Sequence, residues 1–179
     1  MGFQDVVSAA ANLAPYHLLS YSTLIGMSIF QSFTVVKTAH RVLPRPAFTT
    51  LQARLFPIYF QLQTLYFFLT AATFPPYGPV SLIKDGTSAA LFSVAGTGVL
   101  LNFFVYGPRT RQAMIDRSRK AGAPATTTDE DVEEASEEAV EALNKSFHKS
   151  HAMSLHINLI TMGALVVYGW RLALRLKVE

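Results

Sequence analysis

Polar side chains recur at defined depths inside long apolar runs of this 179-residue chain, and their types suit hydrogen bonding or the binding of a polar group. Polar groups in hydrocarbon need partners, so their depth is informative. In the orientation that the distribution of Lys and Arg predicts, all these polar side chains fall in the cytosolic third of the membrane. They are Gln31 in the first run, Tyr59, Gln61 and Gln63 in the second, Asn102 in the third, and Ser154, His156 and Asn158 in the fourth.

This polar layer has two interpretations. It either holds the helices together by interhelical hydrogen bonds, or it lines a cytosol-facing cavity for a lipid headgroup, an ion or a small solute. In the second case Arg109 and Arg41 are the expected anion contacts. The candidate binding residues are Gln31, Arg41, Arg45, Tyr59, Gln61, Asn102, Arg109, His151, His156 and Asn158.

Residues for covalent, metal or cofactor chemistry are sparse. The chain has no cysteine, which excludes a disulfide framework, thiolate catalysis and thiolate-ligated metals. His148 and His151 share a helix face at a spacing of three, but no carboxylate lies between them, and His17 is expected at the opposite membrane face. Phosphate loops and nucleophile elbows are absent as well. We therefore expect no catalytic residue, no metal and no cofactor.

The elements that must position these residues are four apolar runs, at about 14–36, 55–74, 87–106 and 154–172. Half of the chain is hydrophobic and only 15% is charged, and each run approaches the roughly 20 residues that a membrane helix needs. Pro57 is expected in the first turn of the second helix, and Gly107-Pro108 should end the third. The sequence predicts an all-α, polytopic membrane protein, with one domain over residues 1–179 and a bundle of four transmembrane helices.

The positive charges follow these runs. Eleven Lys and Arg residues lie in the first and third loops and four on the other side, which predicts cytosolic loops and places both termini outside or in a lumen. The same distribution explains the sequence pI near 9.3 without a nucleic-acid partner. No secretory leader precedes the first run, so we expect a multi-pass protein without a cleaved signal, in a membrane that the sequence does not specify.

The third loop has an acidic composition, with eight of the twelve acidic residues between Asp129 and Glu141. Residues 121–128 are small and polar and should be flexible, whereas 129–147 carry apolar residues near helical spacing. We expect a cytosolic amphipathic helix or linker there. Its acidic face, 129–141, is either solvated or a docking surface for a basic protein partner.

Small residues at helical spacing predict close backbone approach. They are expected to pack helices within the chain, with a homodimer face as the alternative use. The residues concerned are Ser22, Gly26, Ser93, Gly96 and Gly163.

The ordered motifs resemble the transmembrane protein 205-like family of small four-helix membrane proteins. The likeness covers most of residues 16–172, leaves the acidic loop unmatched, and implies an integral membrane protein of poorly characterised biochemistry. The motifs are His17-Leu18-Leu19-Ser20-Tyr21, Gly26, Gln31-Ser32-Phe33, Leu43-Pro44-Arg45, Phe48, Gln52, Leu55-Phe56-Pro57-Ile58-Tyr59-Phe60, Asn102, Gly107-Pro108-Arg109-Thr110, Met114, Phe147, His151, Ser154, Asn158-Leu159 and Tyr168-Gly169-Trp170.

Together these observations favour a non-enzymatic role in binding, scaffolding or trafficking, in contact with the lipid bilayer. Two other classes stay open. One is an oligomeric transporter of a small solute, an ion or a lipid, since four helices without an internal repeat are few for a monomeric transporter. The other is a membrane-embedded enzyme that acts on a lipid or a quinone.

Overall fold

Five helices make up the computed structural model, which describes residues 12–121 and 130–176 and the side chains of 12–116 and 141–176. Four of these helices are long and apolar enough to cross a membrane, which confirms the predicted all-α fold with four spanning helices. The helices are α1 (Leu13–Val42), α2 (Arg45–Ala72), α3 (Pro79–Lys84), α4 (86–121) and α5 (Glu130–Arg175).

The helix ends follow local sequence signals. The Asn12 side chain accepts a hydrogen bond from the Ala14 amide, so it caps the start of α1. Asp85 caps α4 in the same way through the Ser88 amide. Leu43 ends α1 in an extended conformation because the following residue is Pro44, which disfavours a helical residue before it.

The second helix starts ten residues before the predicted span, so Pro57 lies well inside α2 instead of in its first turn. Proline has no amide hydrogen, and the carbonyl four residues earlier, that of Ala53, loses its helical partner. Arg111 of α4 supplies a donor to that carbonyl through Nε, at 3.3 Å. A contact between helices thus helps α2 to accommodate the proline.

Gly107-Pro108 does not end α4, which continues to Ala121. The residues just before the proline, Asn102–Tyr106, form a π-helical segment, and the Gly107 amide donates to the Asn102 carbonyl five residues earlier. This wider turn shifts the hydrogen-bond register next to the residue that lacks a donor, which allows the helix to pass through Pro108. α1 contains a second π-helical segment at Phe30–Val35.

The acidic segment from residue 130 onward is helical, as predicted, but it is continuous with the fourth spanning helix. Together they form α5, which at 1.5 Å per residue is about 69 Å long. The segment predicted to be flexible lies, apart from Ala121, outside the described residues, as do the acidic side chains before Glu141.

The bundle has two distinct ends. Its hydrophobic core lies toward the end that holds His17, Phe74 and Tyr168, which we call the aromatic end. The opposite end, where α1 meets α2 and where α4 leaves the bundle, holds Arg45 and Arg111 and is called the basic end.

Glycines pack the helices at only some of the predicted positions. A Cβ atom at Gly96 would lie 2.8 Å from the Phe67 ring, and Gly98, beside it on α4, faces Thr161 in the same way. Four of the five predicted packing residues lie instead on the exposed surface, where Gly26 and Gly163 have no heavy atom within 4 Å of an added Cβ. The four exposed residues are Ser22, Gly26, Ser93 and Gly163.

Candidate functional site

A hydrogen-bonded cluster of uncharged polar side chains joins three helices in the middle of the bundle. The Tyr59 hydroxyl donates to Asn158 Oδ1 at 3.0 Å, and Gln63 Nε2 donates to both, at 2.9 and 3.0 Å. Asn158 Nδ2 donates to Ser32 Oγ at 3.0 Å, and Gln63 also reaches Ser28 Oγ at 3.4 Å. We call these five residues the amide cluster.

Helical spacing explains how these side chains meet. Tyr59 and Gln63 are four residues apart on α2, as are Ser28 and Ser32 on α1, and each pair therefore occupies one face of its helix. Asn158 of α5 lies between the two pairs. One asparagine thus links α1, α2 and α5 across the bundle.

Next to this cluster lies a cavity of about 250 Å³. Its wall is mostly apolar, and Tyr59, Asn158 and Ser32 of the amide cluster form part of it. The remaining polar residues of the wall are Gln31, Thr110, His151 and Ser154. The apolar wall residues are Phe33, Val36, Phe56, Phe60, Gly107, Leu155, Leu159 and Met162.

Both π-helical segments lie beside this cavity. The segment Phe30–Val35 contributes Gln31, Ser32 and Phe33 to its wall, and Asn102–Tyr106 ends one residue before Gly107, which is also in the wall. A Cβ at Gly107 would lie 2.5 Å from the Asn102 carbonyl oxygen, so this close backbone approach requires a glycine there. Such segments are frequent at functional sites, because they reorient side chains within a helix.

Several buried polar atoms around the cavity have no partner. Thr110 and Gln31 belong to the cavity wall, and the buried atoms Thr110 Oγ1 and Gln31 Nε2 have no hydrogen-bond partner. Asn102 donates to the Ser154 carbonyl at 3.3 Å, but its own Oδ1 is unpaired, and Gln52 lacks a partner at both side-chain atoms. Buried polar groups are nearly always paired, so these two groups beside the cavity would gain a partner if a bound molecule reached them.

Of the residues that the structure describes, no Lys or Arg belongs to the cavity wall, and the ionisable ones in the wall are Tyr59 and His151. The arginines expected as anion contacts, Arg41 and Arg109, are exposed and lie outside the wall, and so does Arg45. The cavity therefore suits an uncharged molecule, because a buried charge would need a partner that the wall does not provide.

The structure brings four of the ten predicted binding residues together in the cavity wall, namely Gln31, Tyr59, His151 and Asn158. Asn102 is fully buried nearby. Gln61 and His156 are exposed, and His156 Nδ1 bonds to the Ala152 carbonyl of its own helix.

Thr110 and Gln52 occur in the family motifs, but they were not among the candidate binding residues. Helical spacing would have selected Gln63 over Gln61, because only Gln63 shares a helix face with Tyr59.

At the aromatic end the polar groups are paired. His17 Nδ1 donates to the Thr70 carbonyl at 2.9 Å, and its Nε2 accepts a hydrogen bond from the Tyr168 hydroxyl. The rings of Phe74 and Phe92 pack edge-on around this pair, with the Phe74 centroid 5.4 Å from that of His17. The histidine, although buried, thus has a structural role that links α1, α2 and α5.

Asp85 anchors the same end. It accepts hydrogen bonds from Arg175 at 2.5 Å and from Arg171 at 3.4 Å, in addition to capping α4. Partial burial alone would raise the pKa of Asp85, but the bonds from Arg175 and Ser88 and the charge of Arg175 lower it to about 2.

No group of three His, Asp or Glu side chains that could hold a metal ion occurs in the described parts of the chain. His151 instead stacks on Phe147, with the ring centroids 5.4 Å apart. The histidines of α5 thus have local packing partners, and the cavity chemistry rests on hydroxyl and amide groups.

The chain is similar to known proteins over most of its length. The model of a domain of unknown function, DUF4149, matches residues 19–119, which cover most of α1, all of α2 and α3, and nearly all of α4. A protein of Aspergillus fumigatus, Xanthocillin biosynthesis cluster protein D, is 36% identical over 171 residues, which are 95% of each chain. No solved structure matches at a significant level. The chain is therefore an integral membrane protein that belongs to the DUF4149 family.

Proposed function

We propose that this protein binds a small, uncharged, largely apolar molecule in the cavity between α1, α2, α4 and α5. The observation that carries the proposal is the combination of an apolar wall with two buried, unpartnered polar atoms, Thr110 Oγ1 and Gln31 Nε2. A ligand with an apolar body and one hydroxyl or carbonyl group would supply the missing partner. Small-molecule sites have this composition, with few polar groups in an apolar pocket.

The rim of the cavity supports entry from the bilayer. Phe33 of α1 and Leu155 and Leu159 of α5 are 56%, 57% and 55% exposed, and all three belong to the cavity wall. In a spanning bundle such side chains contact lipid, so an apolar ligand reaches the opening without crossing water. The site therefore selects molecules that already partition into the membrane.

The composition of the cavity wall supports the preference for a neutral ligand. The amide cluster offers hydroxyl and amide groups, which bind alcohols, carbonyls and other amides. A carboxylate would enter without a lysine or arginine to pair with it. Its desolvation would weaken binding relative to an alcohol of the same chain length.

The experiment uses the full-length protein in phosphatidylcholine nanodiscs and measures binding of dodecanol, dodecanoate and dodecane by native mass spectrometry. Dodecanol should bind about tenfold more tightly than dodecane, because its hydroxyl pairs with a buried group. Dodecanoate at neutral pH should bind more weakly than dodecanol. Equal occupancy by all three compounds would show unspecific partitioning and would contradict the proposal.

Thr110→Val tests the unpartnered hydroxyl directly. The change keeps the shape and removes a buried group without a partner, so the bundle should be as stable as before or more stable, by about 1 kcal/mol. Binding of dodecanol should nevertheless fall toward that of dodecane. The matched control is Thr161→Val, a fully buried threonine outside the cavity whose hydroxyl already bonds to the Ile157 carbonyl at 2.9 Å. Loss of dodecanol binding in both variants to the same extent would argue against the site.

The Aspergillus fumigatus relative is named as a member of a biosynthesis cluster. A membrane site for a small molecule is compatible with such a setting, and we include a role in small-molecule biosynthesis in the proposal. The likeness to the transmembrane protein 205-like family, a scaffold or trafficking role, a homodimer and a basic partner of the acidic segment stay predictions. So do the transporter and enzyme alternatives.

A further inference from the structure

A second pocket, separate from the cavity, opens between α2 and α4 at the basic end. It has a volume of about 320 Å³ and shares no wall residue with the cavity. Two arginines and two threonines line it, together with the apolar side chains of α4. We call it the arginine pocket, and its principal residues are Thr49, Thr50, Arg54, Arg111, Met114 and Ile115.

Arg111 is held in place by the proline of the neighbouring helix. Pro57 leaves the Ala53 carbonyl without its helical donor, and Arg111 Nε donates to that oxygen at 3.3 Å. This bond uses one of the N–H donors of the guanidinium group. The remaining donors are available at the pocket, because a guanidinium carries a planar fork of N–H groups.

Among the side chains that the structure describes, the two arginines of the pocket have no ion-pair partner. Both ion pairs among the side chains 12–116 and 141–176 involve Asp85 at the opposite end, and neither includes Arg54 or Arg111. Asp116, the next acid on α4, accepts instead from Gln112 at 3.0 Å. Two guanidinium groups that line one pocket repel each other, so an anion bound between them would be stabilised by both.

We propose that the arginine pocket binds the phosphate group of an acidic phospholipid. Arginine suits a phosphate because its forked donors match two phosphate oxygens, and the threonine hydroxyls add further donors. Met114 and Ile115 offer an apolar wall to the lipid beside the headgroup. Arg111 also lies within the last six residues of the apolar span Gly86–Asp116, and basic residues at the end of a span commonly meet lipid headgroups. Inorganic phosphate carries the same chemistry and is the alternative source.

The test measures which lipids stay bound to the full-length protein. The protein is placed in phosphatidylcholine nanodiscs that contain a minor fraction of phosphatidic acid, and bound lipid is counted by native mass spectrometry. The double variant Arg54→Gln/Arg111→Gln should lower the preference for phosphatidic acid about tenfold. The control Arg41→Gln/Arg45→Gln removes the same charge from exposed positions outside the pocket and should change it little.

A substitution of the proline tests the arginine pocket without removing a charge. Pro57→Ala restores the helical donor to Ala53 and releases Arg111 without changing the charge, so the preference should fall about threefold. This variant serves even where the double variant does not fold. Equal preference in the wild type and Pro57→Ala, or equal loss in both double variants, would overturn the proposal, because the charge would then act without a formed site.

Inorganic phosphate separates the two sources of the anion. When added to nanodiscs of pure phosphatidylcholine, it should bind weakly if the site requires a lipid, and tightly and in an Arg111-dependent manner if free phosphate is the ligand. Dodecanol binding in the cavity should be unchanged in Arg54→Gln/Arg111→Gln. The proposals for the cavity and for the arginine pocket can thus be contradicted independently of each other.

Discussion

The two ends of the bundle differ in whether their buried polar groups have hydrogen-bond partners. At the aromatic end His17, Thr70 and Tyr168 pair with one another inside a cluster of aromatic rings. Around the cavity and at the basic end the polar groups are as deeply buried, but many are unpaired. In the described side chains eight buried nitrogen or oxygen atoms lack a partner, and Arg171 Nε is the one that belongs to the aromatic end.

This difference indicates a division of roles. Unpaired buried groups reduce stability, so they persist where another requirement outweighs stability. The two π-helical segments lie on the same side as the unpaired groups, and the hydrophobic core lies on the other. We infer that the aromatic end stabilises the bundle, whereas the cavity and the basic end serve binding.

The largest expected effect comes from a pair of phenylalanines. Phe74→Ala at the aromatic end, where the residue is 3% exposed, should lower the free energy of unfolding by about 3–5 kcal/mol. Phe56→Ala enlarges a cavity that already exists, so it should cost less stability, about 1–2 kcal/mol, and should weaken dodecanol binding. Thermal unfolding in detergent and native mass spectrometry measure the two effects. Equal destabilisation by both variants would remove the distinction between the ends.

The next effect concerns the amide cluster. Asn158→Leu removes the partner shared by Tyr59, Gln63 and Ser32, and should destabilise the bundle by about 1–2 kcal/mol while reducing dodecanol binding. The control is Gln61→Leu, which removes an amide from the exposed face of α2 and should leave both quantities unchanged or raise stability slightly. A neutral result for Asn158→Leu in both assays would show that the cluster is dispensable.

A smaller and pH-dependent effect is expected at Asp85. Its pKa is lowered from 3.8 to about 2 in the folded protein, so its ionised form contributes stability above pH 3.8, and this contribution is lost as the pH falls toward 2. Asp85→Asn should therefore lower the melting temperature at pH 7, by an amount that corresponds to about 1 kcal/mol for a weakened cap and two lost ion pairs.

The difference between Asp85→Asn and the wild type should shrink as the pH is lowered from 4 to 2, the window set by these two pKa values. Melting temperatures at pH 7, 4 and 3 test this dependence. A constant difference across that range would contradict the assigned role of the carboxylate.

The smallest effect is predicted for exposed polar residues that lie outside the cavity wall. Arg109→Ala and His156→Ala should change neither stability nor dodecanol binding by more than about 0.5 kcal/mol, because both side chains are exposed and outside the cavity wall. His151→Ala, a residue of that wall, is the matched change on α5 and should weaken dodecanol binding. Weaker binding of dodecanoate to Arg109→Ala than to the wild type would restore the anion-contact hypothesis.

Sequence patterns predicted the helices better than the side-chain contacts. Runs of about 20 apolar residues determine spanning helices, because length and hydropathy alone decide whether a segment crosses hydrocarbon. The two proline signals were interpreted less well. Pro57 and Pro108 were expected at helix ends, but an arginine from another helix and a π-helical segment, respectively, accommodate them inside helices.

The candidate site was likewise predicted in its position along the helices but not in its side-chain contacts. Amides at matching depths in four runs predicted a polar layer, and Tyr59 and Asn158 do meet there. Depth does not specify the rotation of a helix about its axis, so Gln61 and Gln63 were equivalent in that argument, although only Gln63 faces inward. Thr110 carried no signal of its own, because a threonine at a helix end is usually solvated.

The sequence by itself determined that this chain is a four-helix membrane protein with a basic end and a polar layer, since composition and charge order act along the chain. Only the tertiary structure decided which members of that layer meet, which stay unpaired, and that Arg111 lies over the carbonyl released by Pro57. The physical reason is that helix rotation and packing depend on side chains far apart in sequence, such as Ser32 and Asn158, which contact each other only in the folded bundle.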